Sequence, residues 1–205
     1  NANACTGKEG MRMARETSAM VARQLGMDEE LVQVASTGVI GQPLNLKPFE
    51  EAVPRLVASL TPDGFADVAR AIMTTDTVPK TSFRQISIDG TEVSVLAIAK
   101  GSGMIMPDMA TMLCFLMTDA QIVYPELQAV IRKSVDLTFN RITVDGDTST
   151  NDMVLALANG VAGNRWIDDD NPEGREVFAA AVMAMFKDLA LQIVADGEGA
   201  TKQVT

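Results

Sequence analysis

Apolar residues recur every three to four positions near the start of the chain. Met11, Ala14, Val21 and Leu25 lie on one stripe with the small polar Ser18. That period predicts a helix over residues 8–25, which Gly26 ends. A second helical stripe runs from Pro48 to Leu60, where Pro54 is expected to introduce a kink. The turn Thr61-Pro-Asp-Gly64 separates it from a short helix, Phe65 to Met73. Between the first two helices, Leu31 to Ser36 predicts a short strand ended by Thr37-Gly38. The period then shortens. Phe83, Ile86 and Ile88 lead into Asp89-Gly90, and Val93, Val95, Ala97 and Ala99 lead out, so residues 82–99 predict a β-hairpin. Met112 to Met117 predicts an apolar strand, and Arg141 to Val144 a brief one. Residues 125–139 predict a helix with Leu127, Val130, Ile131 and Val135 on one face. Thr150 to Ala158 also predicts a helix, with Thr148 to Thr150 as cap candidates. A long helix is predicted from Pro172 to Val194, facing the core with Phe178, Ala181, Val182, Met185, Leu189 and Ile193, and Gly197 is its stop.

These elements describe an α/β domain with a mixed sheet and helices on its outer faces. Composition agrees: the 205 residues are 47% hydrophobic and 21% charged, enough for one domain with a real core. No uninterrupted apolar stretch of membrane-spanning length is read, so no span is expected, and the opening residues lack the pattern of a signal peptide. The chain opens at Asn1 rather than at a Met, so this start is not expected to be the natural one. A net charge of −10 disfavours nucleic acid as a partner, because phosphate binding needs basic surface. Two cysteines, Cys5 and Cys114, read as reduced cytosolic thiols. Histidine is absent, which excludes Ser-His-Asp and Cys-His catalysis within the chain and disfavours the usual zinc sites. No metal is expected.

The catalytic base must therefore come from elsewhere. Between the hairpin and the next strand lies Lys100-Gly-Ser-Gly-Met-Ile-Met-Pro-Asp-Met-Ala-Thr-Met-Leu113, a small-residue loop with the Thr111 hydroxyl just before the apolar run. A threonine that cuts the bond to Ala110 acquires a free α-amine, whose ordinary pKa of about 7.7–8.0 suits a base near neutral pH. Self-cleavage then generates nucleophile and base on one residue. The plain alternative is that Thr111 merely begins a strand, and the loop alone does not decide. Gly101 and Gly103 permit left-handed backbone and close approach on either reading. Ser36-Thr37-Gly38, at the expected strand end, offers a hydroxyl and an amide N–H of the kind that stabilises an oxyanion, and taken alone it reads equally as a turn. Other motifs fail. Gly7-Lys8 lacks the Ser or Thr of a phosphate loop, since Glu9 follows. Asp145-Gly-Asp-Thr-Ser149 lacks the glycine and glutamate of an EF-hand, with Thr150 and Ala156 in their places. The string Asp145 to Asp152 remains a polar cluster near a site or a cap region.

Taken together, several strings resemble the bifunctional glutamate N-acetyltransferase / ornithine acetyltransferase family of arginine biosynthesis. They are Asn1-Ala-Asn-Ala-Cys-Thr-Gly-Lys-Glu-Gly10, Ser36-Thr-Gly-Val-Ile-Gly41, Met73-Thr-Thr-Asp-Thr77, Ala99-Lys-Gly-Ser-Gly-Met-Ile105, Met109-Ala-Thr-Met-Leu113, Thr143-Val-Asp-Gly-Asp-Thr-Ser-Thr-Asn-Asp152 and Asp196-Gly-Glu-Gly-Ala-Thr-Lys202. The resemblance implies self-cleavage between Ala110 and Thr111 and transfer of the acetyl group of N-acetylornithine to glutamate through an acetyl-threonine ester. It implies Thr37 and Gly38 as the oxyanion-hole pair, and Thr74, Lys100, Thr111 and Glu198 as substrate contacts. From charge, Lys100 is assigned to a substrate carboxylate and Glu198 to the ornithine ammonium. The fold implied is a four-layer αββα sandwich, similar to N-terminal-nucleophile hydrolases but differently connected. Residues 1–205 are then the central part of one catalytic domain, 1–110 ending an α chain and 111–205 starting a β chain, with natural terminal parts missing. The chains are expected to stay associated as a cytoplasmic heterotetramer of two α and two β. No cofactor is implied, with acetyl-CoA a donor only if the enzyme is bifunctional. An N-terminal-threonine amidohydrolase or aminopeptidase of the same fold is the alternative function.

Overall fold

In the computed structural model of the chain, residues 1–106 and 112–204 are described. The chain divides into two compact units, Asn1–Val68 and Ala69–Thr205.

The first unit holds helices α1 (Gly7–Leu25) and α2 (Lys47–Ala58), which pack on each other, and most of α3 (Phe65–Ala71). Gly26 caps α1 in the left-handed conformation at φ +66°, as its position predicts. Pro48 lies in the first turn of α2, where a missing N–H costs nothing, and Pro54 is accommodated inside the same helix. The predicted strand Leu31–Ser36 does not form. Glu29–Leu31 is a single 3-10 turn, residues 32–36 are irregular, and Leu31 and Val34 are exposed. An apolar alternation becomes a strand only when a neighbour takes up its N–H and C=O groups, and no strand pairs with it among the described residues. The loop after it instead folds back on the N-terminal residues: Ala2 N donates to Val39 O, Gly41 N to Ala4 O, and Ser36 Oγ to Ala2 O.

The second unit is built on a four-stranded sheet in the order β1 (Lys80–Ile88), β2 (Thr91–Lys100), β3 (Leu113–Thr118), β4 (Met153–Ala158). The hairpin β1–β2 turns at Asp89 and Gly90, with φ +50° and +83°. Two consecutive left-handed residues match the twist of the flanking strands. β3 runs antiparallel to β2, and β4 runs parallel to β3. Parallel neighbours require a crossover, which α4 (Tyr124–Leu137) and the 3-10 turn Phe139–Arg141 provide.

Two predictions fail here. Thr150–Ala158 is a strand from Met153, not a helix, and Arg141–Val144 is a 3-10 turn followed by irregular chain. The run Met153-Val-Leu-Ala-Leu-Ala158 is apolar throughout and six residues long. Periodicity cannot distinguish a buried strand from a buried helix at that length. Pairing along the whole of β3 decides it, from Leu113↔Met153 to Thr118↔Ala158.

Helix α5 (Pro172–Ala195) packs on β1, β2 and α4. Its residues Phe178, Val182, Met185, Phe186, Leu189 and Ile193 meet Val93, Val95, Ala97, Cys114 and Leu116 of the sheet and Val130, Ile131 and Val135 of α4 in one buried cluster. The Phe139 and Phe186 rings stand 5.0 Å apart and tilted. Contrary to the composition reading, α5 contains an 18-residue window of mean hydropathy 1.8, apolar enough to cross a membrane. Its apolar face is taken up by this core. Among the described residues, the opposite sheet face is not covered in the same way. The register aligns Phe83, Leu96, Met117 and Leu157 in one row, and Phe83 and Leu157 are each 54% exposed.

Candidate functional site

β1 and β2 place two lysines at the same end of the sheet. Lys80 opens β1 opposite Ala99, and Lys100 closes β2 opposite Leu113. Alternation along the pleat sends Lys80 to the helix-covered face and Lys100 to the other. Both are almost wholly buried, at 0% and 1% exposure. Buried ammonium groups persist only when paired.

Asp76 joins the two faces. Its Oδ1 accepts from Lys80 Nζ at 2.8 Å and from Gly101 N at 2.6 Å, and its Oδ2 accepts from Thr74 N at 3.2 Å. The same Oδ2 lies 3.9 Å from Lys100 Nζ, which donates to Thr74 Oγ1 at 2.9 Å. Lys80 also donates to Asp196 Oδ2 at 2.6 Å, just beyond the end of α5. Asp196 accepts from the N–H and hydroxyl of Thr77 as well. Burial by itself raises the Asp76 and Asp196 carboxyls. The Lys80 hydrogen bond, together with Gly101 and Thr74 for Asp76 and Thr77 for Asp196, outweighs it and holds both below the ordinary carboxylate range. Lys100 is shifted down, by burial first and by Lys80 in addition, against the opposing pull of Asp76, Asp152 and Glu198.

Glu198 follows α5 by three residues and is seated by the loop after β2. Its N–H donates to Ser102 O at 2.8 Å, and Thr75 and Ser102 share a hydroxyl–hydroxyl hydrogen bond of 2.9 Å. A Cβ on Gly103 would fall 2.6–2.8 Å from the Glu198 carboxylate, so a bare backbone is what lets that carboxylate lie there. Asp145 supports the same loop by accepting from Met104 N and Ile105 N at 2.5 and 3.0 Å. Opposite, at the head of β3 and β4, Asp152 Oδ1 accepts from Met112 N at 2.9 Å.

Of the residues singled out from sequence, Thr74, Lys100 and Glu198 thus belong to one polar assembly at one end of the sheet, together with Asp76. Lys100 is held by Thr74 and Asp76 of its own chain, partners that the charge argument did not supply. Ala110 and Thr111 lie outside the described residues. Thr37 and Gly38 belong to the first unit. They sit in the loop folded over the N-terminus rather than at a strand end, and Gly38 has φ +132° with the Asn1 backbone against it. Sequence reasoning assigned no role to Lys80, Asp76, Asp196 or Asp152. The opposite charges of Asp76 and Lys80 four residues apart were a usable signal. Asp152 was marked only as the end of the polar string Asp145 to Asp152, read as a cluster near a site or a cap region. Among the described residues, no cluster of three or more His, Cys, Asp or Glu side chains is arranged to hold a metal ion.

The ArgJ family model matches residues 1–205. The chain is 52% identical over 204 residues to the Arginine biosynthesis bifunctional protein ArgJ of Desulfotalea psychrophila, covering all of this chain and 52% of that protein. It is likewise 52% identical over 204 residues to the protein of the same name from Symbiobacterium thermophilum, covering all of this chain and 50% of that one. The chain spans about half the length of the curated relatives it matches. A crystal structure of ArgJ from Bacillus halodurans, 49% identical, aligns over 43% of this chain and 41% of its own with a TM-score of 0.40.

Proposed function

The chain belongs to the ArgJ family, and from that premise we propose that the full-length protein is a self-cleaving acetyltransferase of arginine biosynthesis. It moves the acetyl group of N2-acetylornithine to glutamate through an acetyl ester on Thr111. The precursor cuts itself between Ala110 and Thr111. The hydroxyl of Thr111 adds to the acetyl carbonyl while the freed α-amine takes its proton, and the proton passes to the leaving ornithine nitrogen. Glutamate then attacks the ester with its amine, and Thr111 regains its hydroxyl proton. Thr37 and Gly38 receive the oxyanion. Thr74 and Lys100 hold the substrate carboxylate end, and Glu198 the ornithine ammonium. The word bifunctional in the relatives' names is the reason to include acetyl-CoA as a second acetyl donor to glutamate.

What supports this reading is the convergence of Thr74, Lys100 and Glu198 at the sheet end where β3, the strand after Thr111, begins. The α and β chains stay associated, as a heterotetramer of two each, in the cytoplasm. A four-layer αββα arrangement is the fold of the full protein. The apolar row Phe83, Leu96, Met117 and Leu157 supports it, because that face suits a second sheet.

Intact mass and N-terminal sequencing of the full-length protein test the proposal. Two chains are expected, one beginning at Thr111, which gains one acetyl group after exposure to N-acetylornithine. Thr111→Ala should remain one polypeptide and accept no acetyl group. A wild-type protein that stays uncut yet transfers acetyl groups at a normal rate would refute the mechanism.

A further inference from the structure

Three short segments meet at the polar end of the sheet: residues 74–77, 100–102 and 196–198. Each carries one candidate substrate contact, Thr74, Lys100 and Glu198 in turn. The first and second are joined by Lys100 Nζ donating to Thr74 Oγ1 at 2.9 Å, by Gly101 N donating to Asp76 Oδ1 at 2.6 Å, and by the 2.9 Å hydroxyl pair of Thr75 and Ser102. The second and third are joined by Glu198 N donating to Ser102 O at 2.8 Å. The third closes on the first. Thr77 N donates to Asp196 Oδ2 at 3.0 Å, the Thr77 hydroxyl donates to Asp196 Oδ1, and Lys80 Nζ bridges Asp76 and Asp196. The circuit is complete, so Glu198 is held relative to Thr74 and Lys100 from two sides. Only Gly197 separates Asp196 from Glu198, and a Cβ there would fall 3.0 Å from Val144 Cγ1. Thr77 is exposed, yet it commits both its N–H and its hydroxyl to a carboxylate 119 positions away. Water competes for such partners, so the net stability gained is modest. What the contact fixes is a distance.

We propose that Thr77 and Asp196 are positioning residues: they form a latch that sets the spacing between the Thr74–Lys100 pair and Glu198, and through it the chain length of the diamino-acid donor the site accepts. The proposal rests on the reading of Thr74 and Lys100 as the carboxylate end of the site and Glu198 as its ammonium end. A site that meets both charges at once measures the methylene chain between them. Held at one spacing, it fits one homologue and strains or misses the next. Released, Glu198 can follow a longer chain, and the site loses its measure while keeping its charges.

The test uses the full-length enzyme carrying Thr77→Val, which keeps the N–H and sets a methyl in place of the hydroxyl against Asp196 Oδ1. Selectivity is read as the inhibition constant of N2-acetyllysine, one methylene longer, divided by the KM of N2-acetylornithine. A pocket of fixed length discriminates an added methylene by about 10- to 200-fold, and the valine variant should lose about tenfold of that ratio. Thr77→Ser keeps the hydroxyl and should restore the wild-type ratio. A purely structural loss lowers the amount of active enzyme and leaves the ratio where it was. Because Thr77 is exposed, circular dichroism melts should show both variants folded. If the valine variant melts early, Thr77→Ala, which removes the hydroxyl without pressing a methyl on the carboxylate, is read in its place. An unchanged ratio in the variants without the hydroxyl, or a serine variant as unselective as they are, overturns the latch. A wild type that takes no acetyl group from N2-acetylornithine brings down the reading of the site itself. One that does so beside an unmoved ratio removes only the latch.

Discussion

Asp76 and Asp152 both act electrostatically on Lys100, and they are opposites. Asp76 is wholly buried and accepts from an ammonium and two backbone amides, and its carboxyl sits below the ordinary range. Asp152 has one amide and a lysine acting from a distance, and its carboxyl sits at about 6. Burial pushes both upward. The number of donors decides which way each goes. The difference separates a carboxylate that holds the fold together from one left with a buried oxygen that accepts nothing among the described residues.

The sharpest way to break the contrast is Lys80→Met. It leaves Asp76 and Asp196 buried without their shared cation, and should cost about 3–5 kcal/mol of stability in a urea melt. In sign, a carboxyl held low contributes stability above its ordinary pKa and loses it as the pH falls through its folded value. Without Lys80 that contribution at neutral pH should vanish, and Asp76 should come to resemble Asp152. A loss under about 1 kcal/mol would show that the network is not the fastening described here.

Gly103→Ala probes the loop next to both carboxylates. The new Cβ meets the far end of a flexible side chain, so stability should change little while Glu198 is displaced. In the full-length enzyme, KM for N-acetylornithine should rise about tenfold, equivalent to about 1.4 kcal/mol of binding. An unchanged KM would remove Glu198 from the ammonium site.

Asp152→Asn has a smaller expected effect on stability than Lys80→Met, and the opposite sign. A carboxyl raised from 3.8 to about 6 favours the fold below its ordinary pKa and loses that advantage as the pH rises through the folded value. The variant should match wild type in denaturant melts below pH 4 and exceed it above pH 6. The shift corresponds to about 3 kcal/mol at most, and partial exposure reduces this to about 1 kcal/mol. A gain in stability at neutral pH is what a buried carboxylate short of donors predicts. Destabilisation at neutral pH would place Asp152 with Asp76 as a fastening.

Much of the architecture was legible along the chain. The stripe on α1, the Asp89-Gly90 hairpin and the buried face of α5 appear where the apolar spacing puts them, because each is set by local period and local turn chemistry. The three segments misread in type, Leu31–Ser36, Arg141–Val144 and Thr150–Ala158, lack that support: two short runs found no partner strand among the described residues, and one uniform apolar run found β3. The site was legible in part. Thr74, Lys100 and Glu198 stood out as the substrate contacts that the resemblance implies, whereas Asp76 was only part of a family string and Lys80 belonged to none.

The amino-acid order by itself determined the family, the hairpin, the helical faces and the absence of histidine. The tertiary structure alone decided that Lys80 and Lys100 flank the same carboxylate from opposite faces of the sheet, and that Asp152 lies against the residue after Thr111. Those relations depend on which strands pair and in what register. Residues 40 and 116 positions apart in the chain become hydrogen-bonded only after that pairing is made.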